Sequence, residues 1–266
     1  MGRIKKHGAK QQLPNRKKCI FCPSNADSAE HVLPDWLNRW GPGGGSGVRQ
    51  LNVNGTPVIE NGGPFSKKLK IVCRPCNNVW MSGMETEVRP TLVRVFEWDG
   101  RAPLQLDAGE QLALARWAFK TAVVAAHVGG QPTFPFQQCR DFRSTDTLPA
   151  CFIRIGATEP PPVGYTHGGE SYDLVAEFQY LPANATAEIN GARSTFLLYR
   201  AAFRLYNVAF DLLGYDHPAY QFTPVLPQAI QDALTQIWPS PPGLVTWPPA
   251  RTVESIGGIK ALVTYR

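Results

Sequence analysis

The sequence predicts an α+β chain: a small metal-stapled module near the N-terminus, then helices, then a mainly antiparallel β body. Three observations predict it. Two Cys-x-x-Cys pairs, Cys19/Cys22 and Cys73/Cys76, stand fifty residues apart. After the second pair, apolar residues recur at helical spacing over two stretches. Beyond Gly129, short alternating runs separated by proline-rich turns replace that spacing.

The cysteine pairs carry the first inference. Six cysteines in 266 residues are too few for a disulfide scaffold, and Cys139 and Cys151 stand apart from the rest. In a reducing compartment, paired Cys-x-x-Cys units read as metal ligands. Zinc takes four thiolates tetrahedrally, and each tight turn supplies two of them. Cys19, Cys22, Cys73 and Cys76 are therefore the expected ligands of a structural Zn2+. The alternative is two unlinked reduced pairs.

Segment 41–63 is rich in Gly, Asn and Pro and reads as a long excursion between the pairs. Short strands are expected near 48–53 and 56–59, with Asn54-Gly55 as a hairpin turn between them. A strand over 68–72 should deliver Cys73. Past Cys76, the residues Trp80, Met84, Val88, Leu92 and Phe96 form one apolar helical stripe, in which Pro90 threatens a kink or break. Asp107 and Glu110 form a capping-box pattern ahead of a second stripe, Leu114, Trp117, Ala118, Thr121, Ala125 and Val128. Lys120 interrupts that stripe and is expected to snorkel to water. Further strands are expected over 150–155, over 172–180, and once or twice within 196–213. There is no internal repeat. The organisation that follows is a basic flexible tail (1–18), a metal module (19–98) and an α+β C-terminal domain (99–266) with no motif tied to chemistry.

Charge is unevenly placed. The chain carries a net +6, and residues 1–18 hold seven of its 27 lysines and arginines with no acid among them. Such an arm is either a solvated tail or a segment that attracts phosphate backbones. No apolar run reaches the roughly 18 residues of a membrane span, and no apolar signal core follows the basic start. The expectation is a cytoplasmic protein with no membrane partner, its oligomeric state unread.

Glu30-His31 lies eight residues beyond Cys22, in CIFCPSNADSAEHVLPDWL. The second pair continues as CRPCNNVWMSGME, and ARWAFKTA follows at 115–122. Together these stretches resemble the HNH endonuclease superfamily, in its four-cysteine, zinc-stapled bacterial branch. The motif-bearing match covers about residues 19–122. The resemblance implies a ββα-metal core, two strands and a helix around one catalytic divalent ion, with zinc stapling the loops outside it. It implies a metal-dependent endonuclease that hydrolyses DNA. By position, His31 matches the general base, Glu30 the acidic metal ligand beside it, and Asn77 the final ligand at the helix start. Imidazole suits proton abstraction near neutral pH, and oxygen-ligated Mg2+ or Mn2+ suits the charge that develops on phosphate.

One element departs from that pattern. HNH sites carry a middle Asn shortly before the second cysteine pair, whereas residues 66–70 here read Ser-Lys-Lys-Leu-Lys, and Asn61 is the nearest candidate. The lysines can hold phosphate instead. A second reading is therefore a zinc-stapled nucleic-acid-binding module that kept the fold without the catalysis. A third is a protein-interaction module working through its C-terminal body. Trp36 and Trp80 read as core around the zinc rather than base-stacking platforms, Asp35 as a helix-surface acid rather than a neighbour of the metal, and His127, His167 and His217 as structural or surface residues.

Overall fold

The computed structural model of the chain describes residues 17–40, 47–51, 58–60, 65–129, 134–159, 165–167, 170–172, 176–189, 191–216, 224–239 and 243–264. Most of the basic arm, the Asn54-Gly55 turn, Asn61 and His217 lie outside these residues, as does the side chain of His167.

The N-terminal part opens with β1 (Ser28–His31) and a 3-10 turn over Asp35–Trp40. Strands β2 (Gly47–Leu51) and β3 (Val58–Glu60) form the expected antiparallel pair within the long excursion. Strand β4 (Lys68–Val72) then returns to pair antiparallel with β1, setting His31 opposite Lys68 and Glu30 opposite Leu69. Between Ser28 and Glu30 the register slips, a bulge of the kind that bends a strand and re-aims its side chains.

A π-helical turn over Cys76–Met81 leads directly into α1 (Ser82–Phe96). Met84, Val88, Thr91, Leu92 and Val95 are its buried face. The helix runs through Pro90 without ending there. Pro90 is exposed, and the buried stripe on the other side packs against the next helix, so tertiary contact outweighs the missing backbone donor.

After β5 (Leu104–Leu106) comes α2 (Ala108–Ala126), started by the expected capping box. The Glu110 backbone N–H donates to Asp107 Oδ1 at 2.9 Å, and the Asp107 N–H donates to Glu110 Oε2 at 3.1 Å. Far from being half-exposed, α2 is buried on nearly every side, with α1 against it and the main sheet beneath. Lys120 therefore does not snorkel: its side chain is 0 % exposed. No helix among the described residues is long and apolar enough to cross a membrane.

The rest is α3 (Phe136–Thr145), β6 (Cys151–Ala157), β7 (Tyr165–His167), β8 (Glu170–Tyr172), β9 (Ala176–Ile189), β10 (Ala192–Leu205), β11 (Val208–Asp216), α4 (Gln228–Ala233), β12 (Thr235–Trp238), β13 (Val245–Trp247) and α5 (Gly258–Thr264). The strand expected over 172–180 is thus divided: Tyr172 ends β8, and β9 begins at Ala176. The main sheet has seven strands in the order β12-β6-β11-β10-β9-β2-β3. All its pairings are antiparallel except β2 with β9, which run parallel. The hairpin sent out between the two cysteine pairs thus extends the sheet of the C-terminal body. Tyr206, at a left-handed φ of 51° in the β10–β11 turn, reaches back the other way. Its hydroxyl donates to the Leu37 carbonyl, and its ring packs edge-on against Phe96. One continuous core runs from Cys19 to Trp247, and a smaller one beneath α4 and α5 covers the other face of the sheet.

On that second face, Arg154 and Asp211 pair directly across β6 and β11, both buried. Burial pushes the Asp211 carboxyl up, and the Arg154 charge opposes the rise. Removing one partner leaves a buried charge uncompensated. Asp211→Ala is expected to cost about 3–5 kcal/mol in urea denaturation, whereas Arg154→Met/Asp211→Leu, which leaves no charge there, recovers most of it. A double variant as unstable as Asp211→Ala would contradict this.

Candidate metal centre and active site

The two Cys-x-x-Cys turns meet. The four sulfurs of Cys19, Cys22, Cys73 and Cys76 all lie within 4.8 Å of one another, with Cys22 Sγ 3.4 Å from Cys73 Sγ and 3.7 Å from Cys76 Sγ. These separations are far beyond the roughly 2.05 Å of a disulfide. They are close to the ~3.8 Å between sulfurs set tetrahedrally about 2.3 Å from one ion. The Phe21 backbone N–H donates to Cys19 Sγ at 3.4 Å. A hydrogen bond from Cys76, aided by such backbone donors and opposed by burial, pulls the Cys19 thiol down to about 5. The four sulfurs are placed so that they can hold a metal ion such as zinc.

Aromatic packing locks the cluster in place. Trp80, from the π-helical turn, packs edge-on against Phe21 at 5.0 Å and Phe142 at 5.2 Å, and its indole N–H donates to Asp146 of the turn after α3. Trp80 is half-buried and packs against the core, as expected for a residue beside the cluster.

Beside the cluster is an open cavity of about 370 Å³. Glu30 and His31 from β1, Asp35 and Trp36 from the 3-10 turn, and Asn77, Asn78, Ser82 and Glu85 from the helix line it, with Pro34. The residues singled out in the sequence, Glu30, His31 and Asn77, therefore face one space. Each is placed by a local cause. Asn77 directly follows Cys76, and its amide donates to Ser28 Oγ at 2.8 Å and to the Ala29 carbonyl at 3.3 Å. That joins the helix start to β1, with the side-chain carbonyl oxygen as the Asn77 atom that could hold a metal. Glu30 points inward from β1 and is 4 % exposed, while the His31 side chain is 28 % exposed, opposite Lys68.

These surroundings drive the two groups in opposite directions. Burial raises the Glu30 carboxyl to about 7, with the Lys120 charge opposing the rise and Glu85 adding to it. Burial, and next the Lys68 charge, hold the His31 imidazole below its usual range. A neutral imidazole at the mouth of a cavity can accept a proton, and a carboxylate kept from water can hold a cation.

Among the polar lining residues, Asn78, Ser82 and Glu85 were not picked out in the sequence, and Asp35 was weighed as a neighbour of the metal but read as a helix-surface acid. Asp35 Oδ1 lies 4.0 Å from His31 Nε2 and accepts from Asn38 Nδ2 at 3.0 Å. Asn78, Ser82 and Glu85 recur at i, i+4 and i+7, a polar stripe beside the apolar one, and that spacing was the available signal. Trp36 is part of the cavity wall as well as of the packing, with the Arg89 guanidinium 5.1 Å above its ring. His127 is structural: its ring bonds the Val123 carbonyl at 2.8 Å within α2's last turn.

Comparison with protein-family models, with curated proteins and with solved structures finds no match to this chain.

If the cluster staples the two turns, loss of one sulfur must cost both metal and fold. Cys73→Ser, purified with zinc present, is expected to retain well below one equivalent of metal by elemental analysis and to melt at lower temperature than the parent. Full retention of metal and melting temperature would remove the cluster from the fold's support.

Proposed function

We propose that the chain is a metal-dependent HNH-type endonuclease that hydrolyses DNA phosphodiester bonds, stapled by Zn2+ on Cys19, Cys22, Cys73 and Cys76. The observation that carries this reading is the convergence of Glu30, His31 and Asn77 on one open cavity beside the cysteine cluster. The antiparallel pairing of β1 with β4, and the helix that follows from Cys76, support a ββα-metal reading.

The donor set fits a hard divalent ion. The Glu30 carboxylate and the Asn77 carbonyl offer oxygen, the ligand type of Mg2+ and Mn2+. Such an ion, when bound, supplies positive charge against the phosphate oxygens as the bond to phosphorus breaks. The protein's own residues do the rest. His31, held neutral, takes the proton from the attacking water at its free ring nitrogen. Asp35, 4.0 Å from Nε2, stabilises the imidazolium that results. Asn77, fixed to Ser28 and Ala29, keeps the helix start in register with β1. Exposed Lys68, opposite His31, and Lys70, two residues on along the same strand face, favour a phosphate backbone across the cavity mouth.

One observation favours the binding-module reading. The β4 residue opposite His31 is Lys68, in the window where the pattern would place an Asn to orient the base. That alternative predicts salt-sensitive DNA binding without metal-dependent cleavage.

Purified protein is expected to nick supercoiled plasmid with Mg2+ or Mn2+ and not with chelator. His31→Ala should lower the rate about 10²–10⁴-fold while leaving zinc content unchanged. Equal cutting by His31→Ala sinks the assignment. Binding without any cutting by the parent favours the alternative.

A further inference from the structure

Lysine is among the side chains least suited to burial, yet the Lys120 side chain on α2 is completely enclosed. Its Nζ lies 2.9 Å from Glu85 Oε1 on α1 and 3.8 Å from Glu30 Oε1 on β1. Both acids line the cavity that holds His31 and Asn77. Stability is a poor explanation for this arrangement, because packed apolar side chains commonly do as well as a buried ion pair. One carboxylate would also be enough to compensate one ammonium. Here a single ammonium spans two, from behind the wall of an open cavity.

We propose that Lys120 is a positioning residue of this site: anchored by Glu85, its ammonium holds the Glu30 carboxylate in the orientation in which Glu30 binds the divalent cation. This rests on the endonuclease reading above. Lys120 touches neither substrate nor water in the cavity and acts through Glu30. It also comes from a helix outside the two strands and helix that carry the other site residues, so the site is complete only with α2 docked.

Electrostatics supplies a test by sign. As a mere neighbouring charge, an ammonium near the ligand oxygen repels a cation, and removing it tightens cation binding. As a positioning group its loss weakens binding, typically about 10–100-fold for a residue that orients a ligand. The experiment is calorimetric titration of zinc-loaded, full-length protein with Mn2+, paired with plasmid cleavage, for the parent, K120M, K120R, E30Q and E30Q/K120M. K120M is expected to bind Mn2+ about 10–100-fold more weakly and to cut more slowly in proportion. K120R should recover most of that loss, and K120M should add nothing in the E30Q background. The double variant removes both charges of the pair, so it still decides the matter if K120M alone loses zinc or helix signal. A further loss of about tenfold relative to E30Q overturns the proposal. So does unchanged or tighter Mn2+ binding by K120M, which leaves the site reading intact. A parent protein that neither binds Mn2+ nor cuts DNA overturns both.

Discussion

Four sulfur atoms from two turns fifty residues apart meet within 4.8 Å, and this closure constrains the rest of the N-terminal part. Closing a long loop costs chain entropy that grows only slowly with its length, so a metal ion held by the four sulfurs would offset it nearly as readily for fifty residues as for twenty. Once closed, the loop brings β1, which follows the first turn, to β4, which precedes the second. It also fixes where the helix starts. Asn77 is the residue after Cys76, so its place beside Ala29 and Glu30 follows from the staple. The hairpin between the turns can then leave and extend the main sheet through β9.

Features fixed by neighbouring residues were legible in the sequence. The capping box at Asp107, the strand before Cys73, the stripe from Trp80 to Phe96 and the paired cysteines are all patterns within a few residues. Those that depend on distant partners were not. Nothing in Gly47–Leu51 announces a parallel pairing with β9, because that contact spans more than a hundred residues and rests on backbone groups. The excursion reads as loop because Gly and Asn dominate it, and only its apolar pairs betray strands. Pro90 is a break signal with real local cost, overridden by a buried face that the local pattern cannot weigh. Of the candidate site, Glu30, His31 and Asn77 were named only through the family resemblance that their motifs carry, and the cavity brings the three together. Glu85 could be found only by setting polar residues on a helical wheel.

Lys120 shows why the remainder was hidden. Against an apolar stripe, a lone lysine reads as a residue that reaches for water, and that reading assumes an exposed side of the helix. Because α2 has almost none, the ammonium must find its compensation in protein, and Glu85 and Glu30 are what the neighbouring elements provide. The burial of α2 is a property of the whole fold, set by α1 on one side and by β6, β10 and β12 on the other.

Buried charge elsewhere marks what is unusual about the cavity wall. Arg154 pairs with Asp211, which the Arg200 charge also reaches, and Arg204 pairs with Glu254, all away from the cavity. At the cavity, by contrast, two acids share one ammonium, so the wall is short of positive charge. The consequence appears in the direction of the shifts: burial moves Glu30 up and His31 down. The rise at Glu30 arises because burial withholds the water that would stabilise a carboxylate, while Lys120 supplies only part of the compensation. A cation entering the cavity would supply the rest, in a medium where its attraction to Glu30 is far less screened than in solvent. The same desolvation that raises the Glu30 carboxyl would therefore strengthen its attraction to such a cation, and it holds His31 below its usual range.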